Sequence, residues 1–489
     1  MTSKAYRTLT RAVRARPVLK YLGHVLLSLV GLALVPALFA LVEREYVLAG
    51  RLVAAAGAFG VTGWLFSQIR SPSRLQTNEA LVIASAAFFI AASAMTWPLM
   101  GSGFTLIDSF FESVSAITTT GLSTLPPDTS LTATHLFTRA WMQWYGGMVI
   151  IVLAVALMLP PGAASKNLAQ SDAMAEGIVG SVRQRARAFL VVYVVLTVAG
   201  IVLLFALGMP IFDAVAHALA AISTGGFATS AGSLSAFDSG LLRWAVVCLS
   251  VLGAISFSLY DRVRHHGWRE LLGDTGCRAL FVSIGATTAL VTLFMSLSGH
   301  YDWSRIAENA PLMAASAQTT AGFSSMTVAD LDPASKAVLI ASMFVGGDAG
   351  STAGGIKLVR LLLILQLIGL AVVRTALPDR ATVGLKIYGQ APETAQVHRM
   401  LTIVFLFSAV VLVTWLAFLA FGYPALDSLF DVVSATATTG LSTGVTSSDL
   451  VPPLKALLCL DMLMGRLEIL AVLTLFFPAT WIGRRMTEK

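Results

Sequence analysis

Four stretches of the chain repeat one set of residues at one spacing: an Asp or Asn, Ala eight residues on, Thr eleven on and Gly thirteen on. They are Asp108, Ala116, Thr119, Gly121; Asp213, Ala221, Thr224, Gly226; Asn309, Ala317, Thr320, Gly322; and Asp427, Ala435, Thr438, Gly440. Each Gly is followed by Leu or Phe and, three residues after it, by a hydroxyl residue: Thr124, Thr229, Ser325 or Thr443. A single Thr-x-Gly carries almost no information, whereas a register held at five positions in four copies is hard to attribute to chance. The residues are small, and glycine reaches backbone angles closed to others, so successive carbonyl oxygens can face one axis. Rings of such carbonyls with a threonine hydroxyl replace the hydration shell of a monovalent cation, with no fixed anion needed. A divalent-cation pore would be expected to show a carboxylate ring. Four residues after the Asp or Asn stand Glu112, His217, Met313 and Asp431, which do not agree in type. Taken singly, each phrase reads better as a re-entrant loop or a site of close helix packing; four in register imply one shared centre.

The medium around that centre follows from composition. With 56% hydrophobic and 12% charged residues, about half the charged share of a soluble domain, the chain cannot clothe its surface for water and reads as an integral membrane protein. Crossings need about 20 apolar residues and are expected at 21–42, 46–66, 80–100, 136–159, 189–207, 241–260, 279–297, 337–370, 401–421 and 454–477. The first is too long in its apolar core for a cleaved signal peptide, and no small-residue cleavage site precedes the next crossing. Cys248, Cys277 and Cys459 lie in or beside apolar stretches and read as buried thiols. Neither zinc nor redox spacing is present.

The net charge of +7 reads as topology, because Lys and Arg collect on the cytoplasmic side. Lys4, Arg7, Arg11, Arg14, Arg16 and Lys20 precede the first crossing. Later groups are Arg70 and Arg74; Lys166, Arg183, Arg185 and Arg187; Arg262, Arg264, Arg269 and Arg278; Arg374, Arg380, Lys386 and Arg399; and Arg484, Arg485 and Lys489. All fall on one side of a ten-crossing arrangement, which puts both termini in the cytoplasm and the four phrases toward the outside. The arginines of 183–187 serve topology or anionic lipid.

Short helices between the crossings carry the phrases. About 30 residues separate two crossings at 101–134 and at the equivalent places, with an apolar run of about ten residues in the first half. Such a run makes a helix of about 15 Å that enters only halfway. The leading Asp or Asn suits its N-cap, and its C-terminus, the negative end of the macrodipole, then points inward and favours a cation. The chain returns through Thr118-Thr119-Thr120-Gly121 and its counterparts; non-helical backbone at that depth is tolerated where it is buried in protein or lines a watery cavity. Elsewhere, five glycines in Gly346 to Gly355 split the eighth crossing into two arms, as a gate below the filter or as a passive kink. A nucleotide-binding loop is excluded there, since Ile356 separates Gly355 from Lys357 and no hydroxyl follows. Arg466 within the last crossing would face protein or water, as a barrier to a cation or paired with Asp461 or Glu468.

These stretches resemble the Trk/Ktr/HKT superfamily of potassium transporters, and most closely its TrkH branch. The matching residues are Thr118-Thr119-Thr120-Gly121-Leu122-Ser123, Ser223-Thr224-Gly225-Gly226-Phe227, Gln318-Thr319-Thr320-Ala321-Gly322-Phe323 and Ala437-Thr438-Thr439-Gly440-Leu441-Ser442. Outside them, Gly346-Gly347-Asp348-Ala349-Gly350-Ser351-Thr352-Ala353-Gly354-Gly355-Ile356-Lys357 and Gly465-Arg466-Leu467-Glu468 also match, with Asp348 departing from the small or uncharged residue usual there. The resemblance implies an all-α integral membrane fold: four pseudo-symmetric helix, pore loop, helix repeats around a central pore, plus two N-terminal transmembrane helices. The corresponding divisions are 1–71, 72–185, 186–268, 269–390 and 391–489. It implies potassium-selective, channel-like uptake across a bacterial inner membrane. Potassium would be bound by Thr118, Thr119, Thr120, Gly121, Ser223, Thr224, Gly225, Gly226, Thr319, Thr320, Ala321, Gly322, Ala437, Thr438, Thr439 and Gly440. A gating loop would comprise Gly346, Gly347, Gly350, Ser351, Thr352, Gly354, Gly355 and Lys357, with Arg466 as a charge near the pore. It further implies a homodimer among membrane lipids, regulated by a cytoplasmic TrkA-type nucleotide-binding ring, since this chain encodes no nucleotide-binding domain; nucleic acid has no place in it. Glycine at all four filter positions favours potassium, where plant relatives with serine in the first position pass sodium. Alternatives within transport are potassium symport with protons or sodium, or the pore subunit of a potassium-pumping ATPase. A membrane-embedded enzyme would need clustered His, Asp or Glu, and the seven histidines offer only His265-His266 in a basic loop; a scaffold with a vestigial pore is the remaining class.

Overall fold

A computed structural model of the chain describes residues 12–71, 75–100, 104–126, 129–157, 172–376 and 394–481. Of the cations used above to orient the chain, Lys4, Arg7, Arg11, Arg74, Lys166, Arg380, Lys386, Arg484, Arg485 and Lys489 lie outside the described residues. Helices and their connections account for all that is described, with no strand among those residues. In order they are α1 (Ala15–Val42), α2 (Tyr46–Ser67), α3 (Thr77–Leu99), α4 (Leu106–Ile117), α5 (Ala133–Leu157), α6 (Asp172–Ala206), α7 (Ile211–Ile222), α8 (Gly240–Ala254), α9 (Phe257–His266) and α10 (Arg269–Gly273). They continue as α11 (Thr275–Ser298), α12 (Trp303–Gln318), α13 (Pro333–Val345), α14 (Leu358–Thr375), α15 (Thr394–Ala420), α16 (Ala425–Thr436), α17 (Pro452–Leu467), α18 (Ile469–Phe476) and α19 (Pro478–Trp481).

Seven helices among the described residues are long and apolar enough to cross a membrane: α1, α2, α3, α6, α11, α14 and α15. Six of these are expected crossings in one piece, and α5, 25 residues long, occupies the place of a further one. The other three expected crossings are broken, and each break has a chemical cause. The sixth splits into α8 and α9, bent by 86°, where the carbonyls of Gly253 and Ala254 accept from Thr352 N–H and Asp348 N–H, and Phe257 N–H donates to Gly350 O. Bonds that a continuous helix would make internally are thus made to the 346–357 segment, the condition for breaking a helix at membrane depth. The eighth splits at that same segment into α13 and α14. The tenth splits at Glu468, whose φ of +59° ends α17 and whose carboxylate pairs with Arg360.

The N-terminal pair α1 and α2 is joined by three residues, so the two run antiparallel. Gly23 and Gly63 face each other closely enough that a Cβ on Gly23 would lie 2.8 Å from Gly63 O, the close approach that small residues permit without water to drive association. Hydrogen bonds from Trp141 Nε1 to Gly31 O (3.2 Å) and from Tyr145 Oη to Ser28 O (2.6 Å) fasten the pair to α5. Of the cysteines, Cys277 and Cys459 are buried as expected, but Cys248 is exposed on α8: an apolar neighbourhood in sequence also describes a lipid-facing helix surface.

Candidate ion-coordinating site

The four phrases form α4, α7, α12 and α16, of 12, 12, 16 and 12 residues, each too short to cross a bilayer. Their acids are not the N-caps. Thr105, Pro210 and Pro424 cap three of them, placing Asp108, Asp213 and Asp427 third in their helices, and α12 starts earlier, from Asp302, leaving Asn309 inside it. An acid in the first turn still meets the positive end of the macrodipole, and Asp108 N–H donates to Thr105 Oγ1 at 3.3 Å.

The inner ends are alike to the atom. Thr119 N–H donates to Ala116 O and Thr120 N–H to Ser115 O; the same two bonds recur at Thr224 and Gly225, at Thr320 and Ala321, and at Thr438 and Thr439. This is the Schellman closure, whose left-handed residue is usually glycine. Here it is threonine four times, at φ of +54°, +52°, +53° and +52°. A β-branched residue in that region is an outlier, costing on the order of 1 to 3 kcal/mol at each site. Two residues on, Gly121, Gly226, Gly322 and Gly440 hold φ of +87°, +78°, +74° and +98°.

Those glycines close a ring. A Cβ on Gly121 would collide with the carbonyl oxygen of Gly225, one on Gly226 with that of Ala321, one on Gly322 with that of Thr439, and one on Gly440 with that of Thr120. Each copy therefore packs its glycine on the carbonyl of the next, and the fourth returns to the first. All four glycines line one cavity of about 540 Å³, with Ser123, Thr229, Ser324 and Ser442 among its other walls. Thr118, Thr119, Thr120, Thr319, Thr320, Ala321, Ala437 and Thr439 are fully buried, and Thr224 and Thr438 nearly so. The hydroxyl oxygens of Thr119, Thr438 and Thr439 have no partner within the protein. Buried polar atoms are rarely left so, and such unpartnered oxygens fit a guest cation. The hydroxyls of Thr118, Ser223 and Thr319 instead return to the helix carbonyls of Val114, Leu219 and Ala315.

Behind the ring, the two carboxylates that failed to match in type prove to be braces. Asp431 accepts from the N–H groups of Thr443 (2.8 Å) and Thr446 (2.7 Å) and from Ser442 Oγ (2.8 Å), while Glu112 accepts from Thr124 N–H at 3.2 Å and meets Arg139 Nε at 3.4 Å. Around the rim, the fourth residue of three following helices reaches an acid of the next copy: Arg243 to Glu308 (2.7 Å), Lys336 to Asp427 (2.8 Å) and Lys455 to Asp108 (2.6 Å). Sequence reasoning missed this series; its signal is a cation four residues into α8, α13 and α17. At Asp108, outside the crossing helices, burial pushes the carboxyl up, but Lys455, Thr105 and Thr124 outweigh it and hold it below its ordinary value of about 3.8. The stabilisation is therefore complete above that value and lost as pH falls through the lower folded one. Changing Lys455 to Met strands Asp108 and is expected to cost about 2 to 3 kcal/mol, read as a lower melting temperature in detergent, with Asp108→Asn in the same chain restoring most of it.

On the opposite side of the ring lies the 346–357 segment, fixed rather than loose. Gly354 N–H donates to Thr320 Oγ1 (2.6 Å), Gly355 N–H to Ala437 O (3.2 Å), and Thr352 Oγ1 lies 3.0 Å from Ile222 O and 2.8 Å from Gly253 O. It thus hangs from the inner ends of three copies. Lys357 Nζ turns back onto Ala353 O, and Asp348 packs its carboxylate on Gly276 at the start of α11. Gly346, Gly350 and Gly355 hold positive φ, and Ser351 Oγ closes on Asp348 O at 2.6 Å. Gly347 is packed against Ala353 and Ala254. Arg466, 6% exposed, donates from Nη1 to Thr352 O at 2.6 Å; it pairs with neither Asp461 nor Glu468, the latter being held by Arg360.

With this geometry in place, the family model described as TrkH, cation transport protein, matches residues 51–481. The Trk system potassium uptake protein TrkH of Salmonella typhimurium is 30% identical over 483 residues, covering 95% of this chain and 99% of that protein. Its counterpart in Escherichia coli (strain K12) is 30% identical over 484 residues with the same coverage. Among solved structures, the crystal structure of the potassium transporter TrkH from Vibrio parahaemolyticus is similar with a TM-score of 0.85 at 28% identity, over 96% of this chain and 100% of that one.

Proposed function

The chain belongs to the TrkH family of cation transport proteins, a family of transporters rather than enzymes, and on that premise we propose that it takes up potassium by a channel-like route through the four-copy ring. The closed circle of glycine-to-carbonyl contacts around one cavity carries this reading. The divisions at 72–185, 186–268, 269–390 and 391–489 are four helix, loop, helix units around that axis, and 1–71 contributes the two accessory helices. A potassium ion entering the cavity exchanges water for carbonyls of the residues at 118–121, 223–226, 319–322 and 437–440, helped by the open hydroxyls of Thr119 and Thr438. The C-terminal ends of α4, α7, α12 and α16 add their negative dipole ends at the same point.

Below the ring, the 346–357 segment is the gate, with Arg466 as the latch and a positive barrier. By the chain's likeness to its family, the protein works in the inner membrane with both termini in the cytoplasm, as a homodimer whose gate answers to a cytoplasmic nucleotide-binding ring. The test is flux: purified protein in liposomes should carry a rubidium tracer inward, with potassium competing strongly and sodium weakly. Tracer uptake no faster than in protein-free vesicles, with and without the ring, would remove the reading.

A further inference from the structure

Gln143 stands fully buried in α5, the helix that follows the first copy, yet both ends of its amide serve the second. Nε2 donates to Gly225 O at 2.5 Å and Oε1 accepts from Phe227 N–H at 3.3 Å, so one side chain grips the backbone on either side of Gly226. The residue preceding the ring glycine is Thr120, Gly225, Ala321 or Thr439, and glycine occurs only in the gripped copy. The reason is local: a Cβ on Gly225 would lie 2.6 Å from Gln143 Oε1 and 2.8 Å from Nε2.

The grip also stands where the rim lacks a tie. Ion pairs join the second copy to the third, the third to the fourth and the fourth to the first, and among the described residues no cation pairs with Asp213. Between the first and second copies, Gln143 and the Arg139 guanidinium, 3.7 Å from the Phe227 ring centroid, act at the ring itself, while further out Tyr193 Oη donates to Trp144 O (2.9 Å) and Trp144 Nε1 to Thr197 Oγ1 (3.0 Å). Gly146, Gly253 and Gly465 each give room to the last carbonyl of the preceding short helix. Three residues before Gly253 and Gly465 stand Ser250 and Met462, which cannot repeat a two-ended amide grip.

We propose that Gln143 is a specificity-determining positioning residue, setting the distance of the second copy from the axis and drawing on the Gly225 carbonyl that a passing ion would use. The proposal rests on the ring being the potassium filter. Selectivity there depends on the number, position and field strength of the carbonyl dipoles. An amide donor on one of four equivalent carbonyls weakens its pull and fixes its place. Freed, that oxygen is a stronger and more mobile ligand, and both changes favour the smaller ion.

The experiment is competition by potassium and sodium against rubidium uptake in liposomes, for the wild type, Gln143→Leu and Gly322→Ser. Gln143→Leu is expected to retain uptake while the ratio of sodium to potassium half-inhibition falls at least fivefold. An unchanged ratio beside an altered one in Gly322→Ser overturns the role of Gln143 alone; unchanged ratios in both overturn the filter reading itself. Should Gln143→Leu fail to fold, Gly225→Ala and the double variant Gly225→Ala with Gln143→Ala decide. The single change should abolish uptake by colliding with the amide, and the double should regain it with the lowered ratio. A double variant as inactive as the single, or one with the wild-type ratio, overturns the proposal.

Discussion

Gly322→Ser is expected to lower discrimination between potassium and sodium by at least tenfold, equivalent to about 1.4 kcal/mol. Two effects act together at this position. With φ at +74°, a residue bearing a Cβ is strained by roughly 1 to 2 kcal/mol, and the new Cβ falls on the Thr439 carbonyl oxygen, with Gly440 Cα at 3.0 Å. Because each glycine rests on the next copy's carbonyl, the third copy can move only by displacing the fourth, and the circle loses its shape. Gly422 separates the two effects: its φ is +85° but nothing lies within 4 Å of its Cβ position. Gly422→Ser should therefore lose stability and keep the wild-type ratio in the same competition assay. If Gly322→Ser behaves like Gly422→Ser, the ring contact plays no part in selectivity.

How much of this was legible in the sequence depended on the range of the interaction. The short helices and the turn after each were readable because everything that shapes them lies within some fifteen residues: an acid near the start, small residues throughout, a glycine beyond the end. The break at Gly346 to Gly355 was readable for the same reason. The left-handed threonines were not, because the local rule assigns that conformation to glycine, and only the encircling contacts hold Thr119 and its counterparts against their preference. In three of the helices the N-cap lies three residues before the expected acid, because an acid serves the first turn nearly as well as the cap; in α12 it lies at Asp302, seven residues before Asn309. The breaks at Ile255 and Glu468 have only a single glycine nearby, Gly253 and Gly465, a weak signal; they arise where the 346–357 segment and Arg360 offer bonds from elsewhere in the chain. The rim pairs and the Gln143 grip are long-range as well. Lys455 meets Asp108 across 347 positions and Gln143 meets Gly225 across 82, and no periodicity announces such partners.

The second large effect is expected at Arg466, where Arg466→Met should raise potassium flux in the absence of the regulatory ring by more than tenfold and leave the sodium to potassium ratio unchanged. Arg466 Nη1 holds Thr352 O at 2.6 Å, and Thr352 is the residue by which the segment reaches Ile222 and Gly253. Removing the guanidinium frees one end of the segment while the bonds from Gly354 to Thr320 and from Gly355 to Ala437 remain. On the proposed path it also removes a positive charge from beneath the ring. At a separation of about 8 Å and an effective permittivity of about 20, such a charge opposes a cation by about 2 kcal/mol, or roughly thirtyfold in rate. Arg466→Lys tells the two contributions apart, since lysine keeps the charge but not the planar fork that reaches the carbonyl. Fast flux in Met and near wild-type flux in Lys assigns the effect to charge; fast flux in both assigns it to the lost anchor. The ratio must hold in either case, because the glycine ring is untouched. Slow flux in both variants would mean that the segment, with its remaining bonds to Thr320 and Ala437, stays closed without Arg466, and that the latch lies elsewhere.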